Sequence, residues 1–391
     1  MRRLILGILV FVILFLDGMF SNSSASPNSM TLLFPEAGRQ SVLQGDPQKH
    51  SRLCFCQFGV GLRTDLPGFK IGQLLTLARL GHHSYGGAAR REQNGQIYTC
   101  GGGFIDSTHL RAGIDWTAHL VVLLDRLTVS GGSVRFGSEG GDVLLVVHRS
   151  ESRLGREDLL ILAQRVAYER LTWHEVMSWY YHPPDALFSE QQSAFSPEDL
   201  PSNFLGTEIG RTAIEVVEAT HVPFEDAVDQ LISLKLKQIG AVASAKATRL
   251  NFAQVDRHQN GSKTGVAWYD SGLTFWDEHY LFKRNIGNGD VVTGWRLPIG
   301  DQIGCDEATP PMVGHIPALS VGGQRLAGLY EWRFSPDEKY TNPRAGVSAA
   351  ARSNLSHTVL PSLVTNSTLS RIVDQVGDEL RADLGNAFDT P

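Results

Sequence analysis

Two histidine–acid pairs sit where such groups are costly to place. Asp106 and His109 are three residues apart, just after Gly101-Gly102-Gly103. On a helix that begins at Asp106 they share a face. His174 and Glu175 are adjacent in an otherwise apolar stretch, between Trp173 and Val176-Met177. A histidine or glutamate inside an apolar helix must be paired or ligated to be tolerated. Imidazoles and carboxylates together form the donor set of a divalent-metal site. Three such ligands leave a position for a water that the metal can activate. The pattern nominates His109, His174 and Asp106 as metal ligands. Glu175 acts beside His174 as ligand or general base, and the implied cofactor is zinc or another divalent ion. The bland reading of the first pair is that Asp106 caps a helix and His109 is a hydrogen-bonded core histidine.

Further residues can support such a site. Arg111 and Asp115 are i and i+4 on the same prospective helix and can pair. Glu198 and Asn203 lie in a stretch over 190–206 and could add oxygen ligands, or hydrogen bonds behind the ligands. The same stretch reads as a helix start, with Ser196 as cap, Pro197 at the first helical position and Glu198-Asp199 in the first turn. His82 and His83, in Gly81-His82-His83-Ser84-Tyr85-Gly86, read as a loop. The His-Glu-x-x-His metalloprotease motif is absent, because Ser178 occupies the place of its second histidine. His174 and Glu175 diverge by about 100° on a helix, so spacing alone does not put both in one cleft. Phosphate-loop, nucleophile-elbow and dinucleotide-binding patterns are absent too.

The elements that must position these groups are mixed in order. Strands fit 96–100, 133–136 and 142–148, and a further strand fits 54–62. Helices fit 71–80, 104–127, 157–181, 203–219, 224–239 and 365–384, the last as a surface helix in a tail. The helix over 157–181 is apolar on nearly every face and should be buried. Strands and helices do not alternate as βαβ units. The expected fold class is therefore α+β, a helix-rich core with short strands, not a doubly wound parallel sheet.

The N-terminus reads as an export signal. Arg2 and Arg3 precede an apolar run over 4–16, and small residues end at Ala25. An uncleaved anchor is the alternative. The expected organisation is a signal peptide over 1–25, a lead-in over 26–50, a core domain over 51–310 and a C-terminal extension over 311–391. The 391 residues carry a formal charge of −6, which argues against a nucleic-acid partner. Cys54, Cys56, Cys100 and Cys305 all follow the apolar run. In an exported protein four cysteines permit two disulfides in three connectivities. Cys54 and Cys56 would point to the same side of a strand and should not bond to each other.

Three stretches, over 98–111, 173–175 and 193–203, occur in an order that resembles a bacterial envelope family catalogued as domain-of-unknown-function family 4056. Cys56-Gln57-Phe58-Gly59 is similar to its Cys-x-Phe-Gly segment. Gly81-His82-His83-Ser84-Tyr85-Gly86 is similar to its Gly-x-His-x-Tyr-Gly step, with His83 at the fixed histidine. The likeness covers roughly residues 50–310. It departs from the family in lacking a lipobox cysteine and in splitting the family's Cys-Cys pair as Cys54-Phe55-Cys56. The resemblance implies an exported protein, periplasmic or at the cell surface, and supplies no reaction.

Three functions compete. The first is a metal-dependent hydrolase acting on an envelope component, peptidoglycan or lipid. The second is a thiol hydrolase in which Cys100 attacks with His109 or His174 as base. The third is a non-enzymatic envelope binding or scaffold module whose polar patches form a buried structural network.

Overall fold

The computed structural model describes residues 73–87, 92–137, 140–180, 194–260, 285, 290–306, 308–318, 320–321, 324–325, 328–341 and 359–384. The expected strand over 54–62, Cys54, Cys56 and the N-terminal segments lie outside these residues. The fold is α+β, with antiparallel strand pairs in separate small sheets and long helices between them.

Strand β1 (Gln73–Leu74) lies parallel to β2 (Gly95–Thr99), and β2 pairs antiparallel with β3 (Gly103–Asp106). The helix expected over 71–80 is instead β1 followed by a 3-10 turn, Leu77–Arg79. The next helix starts later than its periodicity suggests, because Phe104 and Ile105 are held in β3 by Tyr98 and Ile97. Helix α1 (Ser107–Ser130) begins at an Asp106 cap and ends at Gly131. A hairpin of β4 (Gly132–Phe136) and β5 (Gly141–Val147) follows, then α2 (Arg156–Tyr180), α3 (Asp199–Thr220), α4 (Phe224–Gln238) and α5 (Ala245–Asn260). Strands β6 (Val291–Thr293) and β7 (Val313–His315) pair, as do β8 (Ser320–Val321) and β9 (Gln324–Arg325).

The segment read as a C-terminal extension supplies β10 (Tyr330–Pro336), β11 (Val364–Thr365) and α6 (Asn366–Leu384). Strand β10 pairs with β5 to complete a four-stranded sheet in the order β11-β10-β5-β4. Its alternate residues Tyr330, Trp332 and Phe334 point inward, as the period of two requires. Trp332 donates to the Val166 carbonyl of α2, and Phe334 stacks on Trp173 at 4.4 Å between centroids. Helix α6 was expected on the surface, but it buries Leu369, Ile372 and Val376. Its Glu379 accepts a hydrogen bond from the Trp179 indole of α2. Its apolar spacing of three and four residues makes one such face. Among the described residues no helix is long and apolar enough to cross a membrane.

The contact that positions the site is the crossing of α1 and α3. A Cβ on Gly206 would lie 2.1 Å from the Leu110 carbonyl oxygen, and one on Gly113 would lie 2.8 Å from the Asn203 carbonyl oxygen. The two backbones therefore touch without intervening side chains. This brings the first turn of α3 against the first turn of α1. The Gly101–Gly103 corner packs tightly too. A Cβ on Gly103, which sits at φ +73°, would lie 1.6 Å from the Trp295 carbonyl oxygen. Its glycines serve protein packing. A disulfide between Cys100 and Cys305, 205 residues apart in sequence, ties this corner to the loop after β6.

Three stability outcomes follow from this packing and from the disulfide. Gly206→Ala forces backbone apart and should lower unfolding free energy by about 2–4 kcal/mol in urea titration. Gly300→Ala, where nothing lies within 4 Å, should be neutral within about 0.5 kcal/mol. The double variant Cys100→Ser/Cys305→Ser should lose about 2–4 kcal/mol, because the long loop it frees restores entropy to the unfolded chain.

Candidate metal centre

His109 lies in the first turn of α1, placed there by the cap below it. Asp106 Oδ1 accepts from the backbone N–H of Thr108 at 2.5 Å and of His109 at 3.2 Å. Asp106 Oδ2 accepts from Gln96 Nε2 at 3.0 Å, and the same Nε2 reaches Glu198 Oε1 at 3.2 Å. Both Asp106 oxygens are thus engaged as the bland reading had it, and the residue acts by fixing where α1 begins.

His174 and Glu175 come from near the C-terminal end of α2, whose packing against α1 turns both toward His109. The His109 and His174 ring centroids are 5.8 Å apart. One donor atom from each of His109, His174 and Glu175 falls within 4.8 Å of the others. A tetrahedral site with bonds of about 2.1 Å has edges of roughly 3.4 Å, so modest side-chain movement closes the group around an ion. Glu175 is buried, with Oε2 accepting from the Phe195 N–H at 3.1 Å and Oε1 lying 3.6 Å from His109 Nδ1. Phe195 is fully buried at φ +54°, a conformation that bulky residues seldom adopt. Its strain turns that N–H onto the carboxylate.

Helix α3 supplies the remaining groups from its first turn. Asn203 Oδ1 accepts from His109 Nδ1 at 3.0 Å. Asp199 Oδ1 lies 3.4 Å from His109 Nε2, while its Oδ2 accepts from the Ser196 N–H at 2.8 Å and hydroxyl at 2.9 Å. Ser202 donates to the Glu198 carbonyl and accepts from the Asp106 N–H, locking the start of α3 to the start of α1. His174 is half-buried, whereas His109, Glu175, Glu198, Asp199 and Asn203 are buried. Access from solvent is therefore from the His174 side.

Arg111 and Asp115 face the other side of α1, about 200° and 240° round from His109. Arg111 donates to the carbonyls of Leu80 and Gln93 and to Asn94. Asp115 Oδ1 lies 3.0 Å from His83 Nε2, and Oδ2 accepts from the Gly86 N–H. The Gly81–Gly86 stretch, expected as a free loop, is thus pinned to α1 by a buried His83. Cys100 is disulfide-bonded, which removes it as a nucleophile. Asp199 escaped the sequence reading because an acid in the first turn of a helix already has an explanation there.

Three carboxyl groups of the centre are displaced upward. Burial pushes Glu175 well above the usual carboxylate range and the Asp199 charge adds to it, while His174 and the Phe195 N–H pull it down. Burial raises Glu198 well above that range as well, helped by the Asp199 and Asp106 charges. Asp199 is raised by burial, with His109 opposing. Water-exposed anions would not behave this way; buried ones ask for a proton or a cation.

The sign of the resulting pH dependence is fixed. A carboxyl raised in the folded state holds a proton that the unfolded chain has released, so its contribution is complete below the unfolded value near pH 4. It is lost as pH rises through the folded value. In chelator-treated protein, the melting temperature should therefore fall as pH rises above the usual carboxylate range of about 4. Glu198→Gln should flatten that slope in scanning calorimetry.

No curated protein and no solved structure matches this chain. Residues 44–294 match the family described as "Protein of unknown function (DUF4056)", and the chain belongs to that family.

Proposed function

We propose that the protein is a divalent-metal-dependent hydrolase of the cell envelope. The observation that carries this reading is the convergence of His109, His174 and Glu175, brought from two helices to within 4.8 Å of one another. Two imidazoles and a carboxylate suit zinc, manganese or ferrous iron, and among the described residues there is no free thiol to favour a softer ion. A divalent ion held there supplies Lewis acidity and an activated water. The chain's own part is orientation. Asn203 fixes the His109 ring, the Phe195 N–H fixes Glu175, and the capped start of α1 fixes where His109 stands.

Export rests on the basic and apolar N-terminus, and the Cys100–Cys305 disulfide is in keeping with an oxidising compartment. Peptidoglycan or lipid follows as substrate from that compartment alone. A second reading, a non-enzymatic envelope module with a structural polar network, is favoured by one observation. Gln96 bridges Asp106 and Glu198 in the interior, as a network built for stability would.

Elemental analysis and calorimetric titration with Zn²⁺ or Mn²⁺ separate the two. The hydrolase reading expects one tightly held ion per chain. His174→Ala and His109→Ala should each weaken binding by at least about 100-fold, while the half-buried His174 position costs little in melting temperature. Negligible metal together with a large melting loss in both variants would favour the network and end the hydrolase reading.

A further inference from the structure

Asp199 stands beside two of the three donors just described, His109 and Glu175, and belongs to none of the roles assigned to them. It is fully buried at the first residue of α3. Its Oδ2 is held by two donors of Ser196, the N–H and the hydroxyl. Its Oδ1 accepts from neither of these donors; it faces the Glu175 carboxyl, with which it can share a proton, and His109 Nε2 at 3.4 Å. That separation equals the edge of a tetrahedron with metal–ligand bonds of about 2.1 Å.

The tautomer of His109 points the same way. Asn203 Oδ1 takes the proton on Nδ1, which leaves the lone pair on Nε2, the nitrogen turned to Asp199. A histidine that binds a metal through one ring nitrogen commonly donates from the other to an oxygen behind it. Ser196 holds Asp199 by its far oxygen in the same manner. Glu175 Oε1 lies 3.6 Å from Nδ1 of the same ring, and its carboxyl is hydrogen-bonding neighbour to that of Asp199. Two buried carboxylates so placed repel unless a proton or a cation lies between them.

We infer that Asp199 is a fourth protein ligand of the ion, completing a set of two imidazoles and two carboxylates. This rests on the metal reading above and sharpens it. With both acids ionised and both imidazoles neutral, a divalent ion is compensated to zero net charge. Three ligands alone would leave one positive charge in a dry interior, which is expensive. The set names the ion's class as a hard or borderline divalent metal. It also implies that open positions for water or substrate require coordination above four, which manganese and iron accept readily and zinc reaches by expansion.

The test uses the full chain, stripped by chelator and titrated with Zn²⁺. Wild type should bind one ion. Asp199→Asn should lose at least about 100-fold in affinity, whereas Glu218→Gln, near the far end of α3 and paired with Arg156, should stay within about threefold. Asp199→Cys loaded with Co²⁺ should show thiolate-to-cobalt charge-transfer absorption in the near ultraviolet, absent from wild type. That arm decides if the Asn variant fails to fold. If wild type binds one ion and Asp199→Asn binds it as tightly, or the cobalt band is missing, the fourth ligand is wrong and the three-residue centre stands. If wild type binds no ion, the centre itself falls and this inference falls with it.

Discussion

Four carboxyl groups and two imidazoles meet where the first turns of α1 and α3 abut the end of α2. All but His174 are buried. An interior of low dielectric does not tolerate that many acids together unless something positive or a set of protons compensates them. Asp106 is satisfied by a helix N-terminus, and Glu198 shares the Gln96 amide with it. Glu175, Glu198 and Asp199 each retain one oxygen without a donor among the described residues, and those of Glu175 and Asp199 border the His109 ring. Every functional statement about the molecule follows from how those two oxygens are neutralised.

The fold spends its tightest packing on holding this arrangement. The glycines at 113, 206 and 210 let α1 and α3 touch backbone to backbone, so the separation of His109 from Asn203 and Asp199 is set by main chain rather than by adjustable side chains. Helix α2 is fixed from its other side by the Trp173–Phe334 stack and the Trp332 hydrogen bond to Val166. Helix α6 clamps its end through Trp179. Fixing each partner on a rigid element is what precise placement of ligands demands. The strained Phe195, whose N–H reaches Glu175, fits the same pattern of local strain held by its surroundings.

Much of this was legible in the sequence, and the rest was not for identifiable reasons. The long helices showed through their periodicity, and their apolar faces announced burial. His109, His174 and Glu175 stood out because polar groups in apolar helices need an explanation. Spacing could not say that His174 and Glu175, about 100° apart on one helix, would both border a histidine more than 60 residues away. That depends on the α1–α3 crossing, whose trace in the sequence is Gly206-x-x-x-Gly210 with Gly113 opposite. Asp106 and Asp199 show how local rules mislead in both directions. Each is an acid at a helix start. The first is consumed by its cap, while the second is held by Ser196 on one oxygen and presents the other to His109. Residues 71–80 carried enough apolar character for a helix, yet pairing of Gln73 and Leu74 with β2 prevailed over local propensity.

The most direct measurement is crystallographic. Crystals of the full chain soaked in Mn²⁺ or Zn²⁺ and measured across the metal's absorption edge should give one strong anomalous peak, bounded by His109, His174, Glu175 and Asp199. A density map with no such peak, or with the ion bound only to surface residues elsewhere, would contradict the account and leave those two carboxylates sharing a proton.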